Sequence, residues 1–408
     1  MWEQIRSNQI KSAVLVALMG ILLLVLGYFL GLLFGGSTGS GIGGVIVALI
    51  VWGIMNLVAF FQGDSILLGI SGARKIKPDD HPRLYNVVEE MKIASGLEKM
   101  PDVYIIDDPA LNAFATGRDP NRASVAITSG LLQKLNRDEL QGVIGHEVSH
   151  IKNRDVLLMV LLSMTLGSIV ILAWYASRFM LLAGASGGRS RSSSRGGGGG
   201  AQLIIIAVGL VLMILAPIIA QFIYFAVSRK REYLADASSA LYTRYPEGLA
   251  SALEKLATSN TNVRTANQAT APMYIINPFQ KKGMSINSLT STHPPIAERI
   301  RILRAMAGAS LADYERAYHQ AKGRGGIISA SALAGAGTMA LRAPSPEVTP
   351  VEEPSQKVER ARETSDLMWR LSNYRTISCE CGSTLRVPPN FKAPAVRCPH
   401  CGRVNSIS

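Results

Sequence analysis

The chain has 408 residues, of which 48% are hydrophobic and only 6% are aromatic, and its formal net charge is +13. This length allows more than one domain, and the hydrophobic content indicates a membrane protein with a soluble part. Much of the excess of Lys and Arg flanks apolar runs, so contact with a lipid bilayer explains the charge better than nucleic-acid binding. All four cysteines lie in the last thirty residues, which argues against a disulfide framework spread through the fold.

Apolar runs at residues 12–34 and 45–61 predict an N-terminal transmembrane hairpin, to which we assign residues 1–62. The first run is too long for a typical signal-peptide core, so we expect a retained anchor. Arg6 and Lys11 precede the hairpin and further basic residues follow it, whereas the turn between the runs is uncharged. The positive-inside rule therefore places the N-terminus and the region after residue 62 in the cytoplasm.

A soluble stretch follows, in which residues 102–106 and 124–128 are rich in β-branched side chains and predict short strands. Between them lies the motif Asn112-Ala113-Phe114-Ala115-Thr116-Gly117. An extended segment beside a metal site can offer its edge to a peptide substrate as an added strand. An ordinary hairpin strand accounts for the same pattern equally well.

The next stretch contains His146-Glu147-Val148-Ser149-His150, which is an HExxH motif. Asn136 and Glu139 form a helix-start pattern and apolar residues then recur with a helical period, so we predict that the motif lies on a helix. His146 and His150 are then one turn apart on one face and can bind the same ion, with Glu147 available as a general base. Zinc suits this chemistry, because two imidazoles and one carboxylate leave a coordination position open.

Apolar runs at residues 156–182 and 203–227 predict a second membrane hairpin directly after the metal-binding helix. Three Arg in the Gly- and Ser-rich loop between the runs conflict with the positive-inside rule, so a pair buried without full spanning stays open as an alternative. In both arrangements the chain returns to the side on which it started.

Glu232 follows the fourth apolar run and is the expected third zinc ligand, because a helix leaving the membrane there meets the helix that entered it. Asp236 lies one turn further along the same face, where its carboxylate can accept the second ring N–H of a ligand His. The alternative is a solvated acidic face in which Glu232 pairs with a neighbouring Arg.

Together these motifs resemble the HtpX-type membrane metallopeptidases of the M48 family, which are relatives of the CAAX prenyl endopeptidases. The resemblance covers approximately residues 1–320. Besides the edge-strand and HExxH motifs it depends on three further groups of residues, namely Lys152-Asn153-Arg154-Asp155, Arg231-Glu232-Tyr233-Leu234-Ala235-Asp236 and Ser291-Thr292-His293-Pro294-Pro295 with Glu298-Arg299-Ile300.

The resemblance implies a catalytic zinc held by His146, His150 and Glu232, with Glu147 as base and proton shuttle. It also implies that residues 112–117 pair with substrate, including Asn112, Ala113, Phe114 and Ala115. His293 and Arg299 then look like contacts to the substrate or the transition state. Spacing alone allows two other interpretations equally well. His293 could be a residue at a helix N-terminus before two prolines, and Arg299 could be a surface charge.

The C-terminal part departs from the family pattern. Residues 321–364 are rich in Gly, Ala, Ser, Pro and Glu and predict a flexible linker, although residues 327–341 are apolar enough to pack or to touch membrane. Residues 365–408 contain two knuckles that resemble a zinc ribbon, formed by Cys379, Cys381, Cys398 and Cys401. Four thiolates would close the shell of a structural zinc. The alternative is a pair of disulfides, which a cytosolic location of this module disfavours. The cysteine pattern does not indicate which partner, if any, the ribbon binds.

We therefore expect a multi-pass α-helical membrane protein with a mainly α (α+β) zincin-type metallopeptidase domain and a small β zinc ribbon. The peptidase domain would span residues 63–320, interrupted by a membrane hairpin at about 156–227. The resemblance implies a zinc endopeptidase of the cell membrane, with its active site and both termini cytoplasmic, that cleaves misfolded or damaged membrane proteins in quality control and stress response. The alternatives are a membrane-anchored ribbon adaptor with an inactive peptidase domain and CAAX-type prenyl-protein processing, whose enzymes typically have more membrane spans.

Overall fold

A computed structural model describes residues 2–186, 199–259, 261, 275, 293–323, 326–335, 337–345 and 354–407 of the chain. Residues 187–198 of the predicted Gly- and Ser-rich loop lie outside the described residues, as do Ser291 and Thr292 of the family motif.

Helices dominate the described part of the chain. They are α1 (Trp2–Gly35), α2 (Thr38–Ile70), α3 (Pro82–Ser95), α4 (Ser129–Lys134), α5 (Arg137–Lys152), α6 (Asp155–Ser186), α7 (Gly199–Thr243), α8 (Pro246–Thr258), α9 (Ile296–Arg304), α10 (Leu311–Lys322), α11 (Ala330–Ala334) and α12 (Pro354–Leu371). The strands are β1 (Arg74–Lys75), β2 (Asp102–Ile106), β3 (Ala113–Gly117), β4 (Ala123–Thr128), β5 (Arg375–Ser378), β6 (Thr384–Val387), β7 (Ala395–Arg397) and β8 (Val404–Ser406). The predicted mainly α class with a small β module is confirmed.

Four of these helices are long and apolar enough to cross a membrane, within the bounds Ala13–Gly35, Thr38–Ile70, Asp155–Arg178 and Ala207–Thr243. The predicted multi-pass class is therefore confirmed. Helices α1 and α2 pack so closely that a Cβ added at Gly27 would lie 2.8 Å from the carbonyl oxygen of Gly44. The reverse substitution at Gly44 would leave only 2.1 Å to the carbonyl oxygen of Gly27, so this approach requires glycine on both helices.

The first four strands form one sheet in the order β1-β2-β4-β3. β2 and β4 are parallel, whereas β3 and β4 form an antiparallel pair with Ala115 opposite Val125. β3 is therefore an edge strand, and α5 packs against it as well as against α3, α7 and α8. The edge predicted from the sequence thus lies beside the helix that carries the HExxH motif.

Helix α5 is anchored at its start and buried along its length. Asn136 and Glu139 form the predicted capping box, in which each side chain accepts a hydrogen bond from the other residue's backbone N–H at 2.9 Å. A Cβ at Gly142 would lie 2.6 Å from the backbone nitrogen of Leu249, so glycine permits α8 to approach α5 closely. The resulting contact fixes the helix that carries the HExxH motif.

The described part of the predicted linker, residues 321–364, packs against the peptidase domain. Ile327 and Ile328 are buried in the main core. The guanidinium of Arg342 donates to Asp138 Oδ1 at 2.7 Å and to Gln141 Oε1 at 2.6 Å, and the hydroxyl of Ser345 donates to Asp138 Oδ1 at 2.6 Å. The apolar residues 327–341 allowed for such packing, whereas the hydrogen bonds from Arg342 and Ser345 to the first turn of α5 were not predicted. The predicted linker boundaries stay a prediction.

Helix α12 connects this stretch to the cysteine-rich module and packs on α4. Thr364 and Leu367 are fully buried in this contact. The module consists of two antiparallel hairpins, β5–β6 and β7–β8. Arg386 of β6 forms an ion pair with Asp366 of α12 and lies over the ring of Trp369, 5.6 Å from its centroid, so the module is attached to α12.

Candidate active site and metal centres

Three potential metal ligands from two helices meet at the membrane end of the peptidase domain. His146 Nε2 lies 3.3 Å from His150 Nε2 and 3.6 Å from Glu232 Oε2, and His150 Nε2 lies 3.5 Å from Glu232 Oε1. Ligand atoms about 2.1 Å from a tetrahedral zinc ion are roughly 3.4 Å apart, so these spacings fit one ion. The solvated acidic face that the spacing also allowed for Glu232 does not occur, because this residue is only 6% exposed.

Glu232 Oε2 is a buried acceptor that makes no hydrogen bond among the described residues. It nevertheless lies 3.0 Å from His293 Nδ1 and 3.3 Å from Arg299 Nη1. The Arg299 guanidinium compensates the charge of this carboxylate, and the lack of a hydrogen bond among the described residues leaves an oxygen lone pair for a metal ion. The donor set of two imidazoles and one carboxylate therefore fits a catalytic zinc ion.

Each histidine of the cluster has a carboxylate at its other ring nitrogen. Asp236 Oδ1 lies 3.0 Å from His146 Nδ1, as the sequence predicted, and Asp155 Oδ2 lies 3.2 Å from His150 Nδ1. These carboxylates favour a proton on Nδ1 and so direct both Nε2 atoms to the metal position.

Asp155 was not predicted as part of the site. Between α5 and α6, Arg154 adopts a positive φ of 57°, and the chain turns there so that Asp155 comes back to His150. Asp155 also forms a buried ion pair with Arg231, which immediately precedes Glu232. A carboxylate at the first position of a membrane helix, five residues after the second His, is the sequence signal that indicates this contact.

Arg299 lies at the centre of the charges around the cluster and is completely buried, unlike the surface charge that spacing also allowed. Its Nε and Nη2 donate to the two carboxylate oxygens of Asp236 at 2.8 and 2.7 Å. This bidentate pair orients Asp236, which in turn orients His146. Arg299 therefore connects α9 to both acidic residues of α7.

The titration of the site residues follows from burial and from these pairings. Burial raises the pKa of Glu147, while the neighbouring His146 and His150 and the backbone of Ala115 lower it by smaller amounts. Burial lowers the pKa of His150, but Asp155 and Glu232 outweigh this effect and raise it to about 10. Protons therefore compete with a metal ion for these imidazoles.

The edge strand β3 packs against α5, which carries the general-base candidate Glu147, and the Ala115 backbone lowers the pKa of that carboxyl group. At its start, the carbonyl of Ala113 accepts from the backbone N–H of Ile275 at 3.2 Å, and the side chain of Asn112 accepts from the same N–H at 3.1 Å. The side of β3 that faces away from β4 is thus already in contact, at its start, with backbone from another part of the chain. β3 is both a hairpin strand with β4 and an edge beside the site, so the two sequence interpretations are compatible.

The four cysteines form a second cluster at the tips of the two C-terminal hairpins. Cys379 Sγ lies 3.5 Å from Cys401 Sγ, and Cys381 Sγ lies 3.7 Å from Cys398 Sγ. These separations are too long for disulfides, which need about 2.05 Å, and close to the roughly 3.8 Å expected between two thiolates on one zinc ion. The cluster fits a tetrahedral zinc site better than the disulfide alternative.

Comparison with known proteins agrees with this geometry. The sequence model of peptidase family M48 matches residues 78–307. The chain is 44% identical over 305 residues to the "Protease HtpX homolog" of Dictyoglomus turgidum, a match covering 75% of this chain and 94% of the relative. It is also 44% identical over 306 residues to the protein of the same name from Streptococcus pneumoniae, covering 75% and 100%. Among solved structures, the crystal structure of S. mikatae Ste24p is similar to 74% of this chain and 67% of its own, with a TM-score of 0.40 and 21% identity.

These matches and the four candidate spans define a membrane metalloprotease, and the family implies zinc. The chain belongs to peptidase family M48. The predicted HtpX-type peptidase is confirmed, and the adaptor and prenyl-processing alternatives are not favoured. α12 and the cysteine cluster lie beyond the family match, which ends at residue 307.

Proposed function

We propose that this protein is an endopeptidase that cleaves cytosol-exposed segments of misfolded or damaged membrane proteins. The observation that carries the proposal is the position of the His146–His150–Glu232 cluster at the membrane end of the domain. His150 contacts Asp155, which is the first residue of a candidate span, at 3.2 Å. An active site beside the start of a membrane span reaches chain segments that emerge from the bilayer. This position suits a role in protein quality control during stress.

We assign the catalytic zinc to His146, His150 and Glu232. When bound, zinc polarises the scissile carbonyl and lowers the pKa of the attacking water. Glu147 accepts a proton from that water and delivers it to the leaving amine, and burial supports this role because it raises the pKa of the carboxyl group. Asp236 and Asp155 hold the two imidazoles in the orientation that the cluster requires.

The substrate contacts follow from the surroundings of the cluster. We assign the side of β3 that faces away from β4, including residues 112–115, to pairing with the substrate backbone as an added strand, which would take the place of the Ile275 backbone contact there. His293, which is 5% exposed and lies beside Glu232 Oε2, is assigned to the developing oxyanion. Arg299 is assigned to positioning, because its guanidinium binds Asp236 and contacts Glu232.

We further propose that both termini and the active site face the cytoplasm of a cell-membrane protein. Arg6 and Lys11 before the first hairpin and the basic residues after it support this orientation. The second hairpin is long enough to span, since its candidate segment Asp155–Arg178 has 24 residues. The proposed domains remain residues 1–62, 63–320, 321–364 and 365–408, and the four cysteines of the last domain are assigned to a structural zinc ion.

A chelation experiment tests the proposed activity. Detergent-purified protein should cleave an unfolded protein such as casein, and 1,10-phenanthroline should abolish cleavage because it would remove the Lewis acid that activates the carbonyl and the water. Added zinc should restore it, while the non-chelating isomer 1,7-phenanthroline should leave the rate unchanged. Cleavage that persists after chelation, with loss of zinc confirmed by elemental analysis, would show that the activity is not that of a zinc peptidase.

A further inference from the structure

The C-terminal extension crosses the peptidase domain at residues 339–345, which we call the strap. The carbonyl of Met339 accepts from the backbone N–H of Ala309, in the turn between α9 and α10, at 2.9 Å. The backbone N–H of Arg342 donates to the carbonyl of Arg244, directly after α7, at 2.9 Å. The strap is therefore bound to the domain through its backbone, although it lies beyond the family match, which ends at residue 307.

The side chain of Arg342 joins the end of α7 to the start of α5. Its Nε donates to the carbonyl of Thr243, the last residue of α7, at 2.9 Å. Its Nη2 donates to Asp138 Oδ1 at 2.7 Å and to Gln141 Oε1 at 2.6 Å, both near the start of α5. A guanidinium at a helix C-terminus is favourable because it binds the last carbonyl groups and complements the helix dipole. One side chain of the strap thus binds both helices.

The partners of Arg342 on α5 belong to a buried polar network. Asp138 is almost completely buried and also accepts from the backbone N–H and the hydroxyl of Ser345, at 2.9 and 2.6 Å. The amide nitrogen of Gln141 donates to Glu90 of α3 at 2.6 Å. Removal of one charged partner from such a network leaves a buried carboxylate poorly compensated, so the start of α5 depends on the guanidinium.

The two helices that Arg342 binds are those that carry the proposed zinc ligands. His146 and His150 lie on α5, and Glu232 lies on α7. Between the ligands and the strap the two helices are in direct contact, because Ser239 Oγ donates to the carbonyl of Gly142 at 2.7 Å. The position of α7 along α5 therefore determines how far Glu232 lies from the two imidazoles.

The ligand cluster lies between two connections of these helices. On its membrane side, Asp155 of α6 forms a buried ion pair with Arg231 of α7. On the other side, Arg342 binds α5 about 12 Å before His146 along the helix axis, at a rise of about 1.5 Å per residue. This separation excludes direct contact with the ligands, so Arg342 acts through the placement of the helices. Metal sites need their ligands held to about 0.5 Å, which two connected helices provide.

We infer that Arg342 is a positioning residue for the catalytic zinc site, because it fixes the end of α7 against the start of α5 and so holds Glu232 at the correct distance from His146 and His150. The inference rests on the proposed function, since it takes these three residues as the zinc ligands. In this arrangement the C-terminal extension takes part in forming the active site as well as carrying the cysteine module.

Zinc release tests this role in the full-length, detergent-purified protein loaded with zinc. The release phase that Glu232→Ala lacks identifies the ion of the proposed catalytic site. In Arg342→Ala this ion should transfer to a colorimetric chelator about ten-fold faster than in the wild type, at the lower end of the effects seen for residues that orient metal ligands. The ion of the cysteine cluster should leave at the wild-type rate. Arg342→Lys keeps the charge but not the forked geometry and should give a smaller acceleration.

Arg316→Ala is the matched control. Arg316 also lies beyond the family match and also binds a carboxylate, that of Asp313, but its side chain is 68% exposed. This variant should release both ions at the wild-type rates. Cleavage of a fluorogenic peptide gives a second measurement, in which Arg342→Ala should lower kcat and leave KM unchanged, because the guanidinium is too far from the cluster to contact the substrate.

The outcomes separate the positioning role from the proposed peptidase. A lower melting temperature of Arg342→Ala without faster release of the catalytic ion, or an equal acceleration for both ions, would overturn the positioning role and leave the zinc site intact. If Arg342→Ala does not fold, Arg342→Lys decides by the same criteria. A Glu232→Ala protein that keeps both release phases would overturn the role together with the ligand assignment. Selective acceleration in Arg342→Ala, with a wild type that cleaves nothing, would support the role and contradict the peptidase.

Discussion

Replacing Glu147 with Gln is expected to reduce the rate of peptide cleavage by about 10²–10⁴-fold without changing the zinc content. The amide keeps the shape of the side chain but cannot accept the proton of the attacking water. The proposed metal ligands His146 and His150 lie on the same helix and are unchanged. Initial rates on casein and elemental analysis of the same preparation measure both quantities.

The same substitution should not destabilise the fold, and in metal-free protein it should raise the melting temperature. Burial raises the pKa of Glu147, so the ionised carboxylate is disfavoured in the folded state and stability falls as the pH rises through that pKa. A neutral amide avoids that cost. Glu89→Gln, an exposed change on α3, serves as the control and should leave both rate and melting temperature unchanged. Equal cleavage by the Glu147→Gln and Glu89→Gln proteins would exclude Glu147 as the base.

The second large effect is expected at Arg299, where substitution by Ala should cost about 3–5 kcal/mol of stability. Arg299 is completely buried, and its removal leaves the carboxylates of Asp236 and Glu232 without their shared cation. Because Asp236 also orients His146, the variant should bind zinc at the cluster more weakly than the wild type. Thermal unfolding in detergent and zinc titration of the folded fraction measure the two effects.

Arg304 offers a matched control on the same helix. It forms ion pairs with Glu247 and Glu254 at 2.9 Å, but its side chain is 40% exposed. Exposed pairs contribute little, so Arg304→Ala should cost at most about 1 kcal/mol and leave zinc binding unchanged. Similar losses of stability in the two variants would contradict the central position that we give to Arg299.

The parts of the site that were predictable from the sequence are those set by local periodicity. The HExxH spacing places His146 and His150 on one helix face, and the spacing of Glu232 and Asp236 does the same on α7. The apolar runs then predict that these two helices are joined by a membrane hairpin and so meet. Local helical geometry and one antiparallel hairpin were sufficient for this part of the site.

Contacts between distant segments were not predictable in this way. Asp155 reaches His150 only because the chain turns at Arg154, which has a positive φ. The residue type at position 154 does not indicate that conformation. The bidentate pairing of Arg299 with Asp236 depends on the register of α9 against α7, which periodicity does not determine. The packing of α9 against α7 determines whether Arg299 is a surface charge or a buried one.

The C-terminal extension shows a different limit of composition-based prediction. Residues 321–364 have a linker-like content of Gly, Ala, Ser, Pro and Glu, yet the described part is attached to the domain by the buried Ile327 and Ile328 and by hydrogen bonds from a few polar residues. Arg342 and Ser345 both bind Asp138 at the start of α5. Such polar contacts involve too few residues to alter the composition, but partly buried hydrogen bonds of a charged group stabilise the docked segment.

Zinc per chain is the measurement that tests the central claim most directly. Two clusters of ligands, one of His146, His150 and Glu232 and one of four cysteines, predict two zinc ions in the wild type. Glu232→Ala should lose the catalytic ion and retain one, and Cys398→Ser should lose the structural ion and likewise retain one. A Glu232→Ala protein that holds as much zinc as the wild type would contradict the account of the active site.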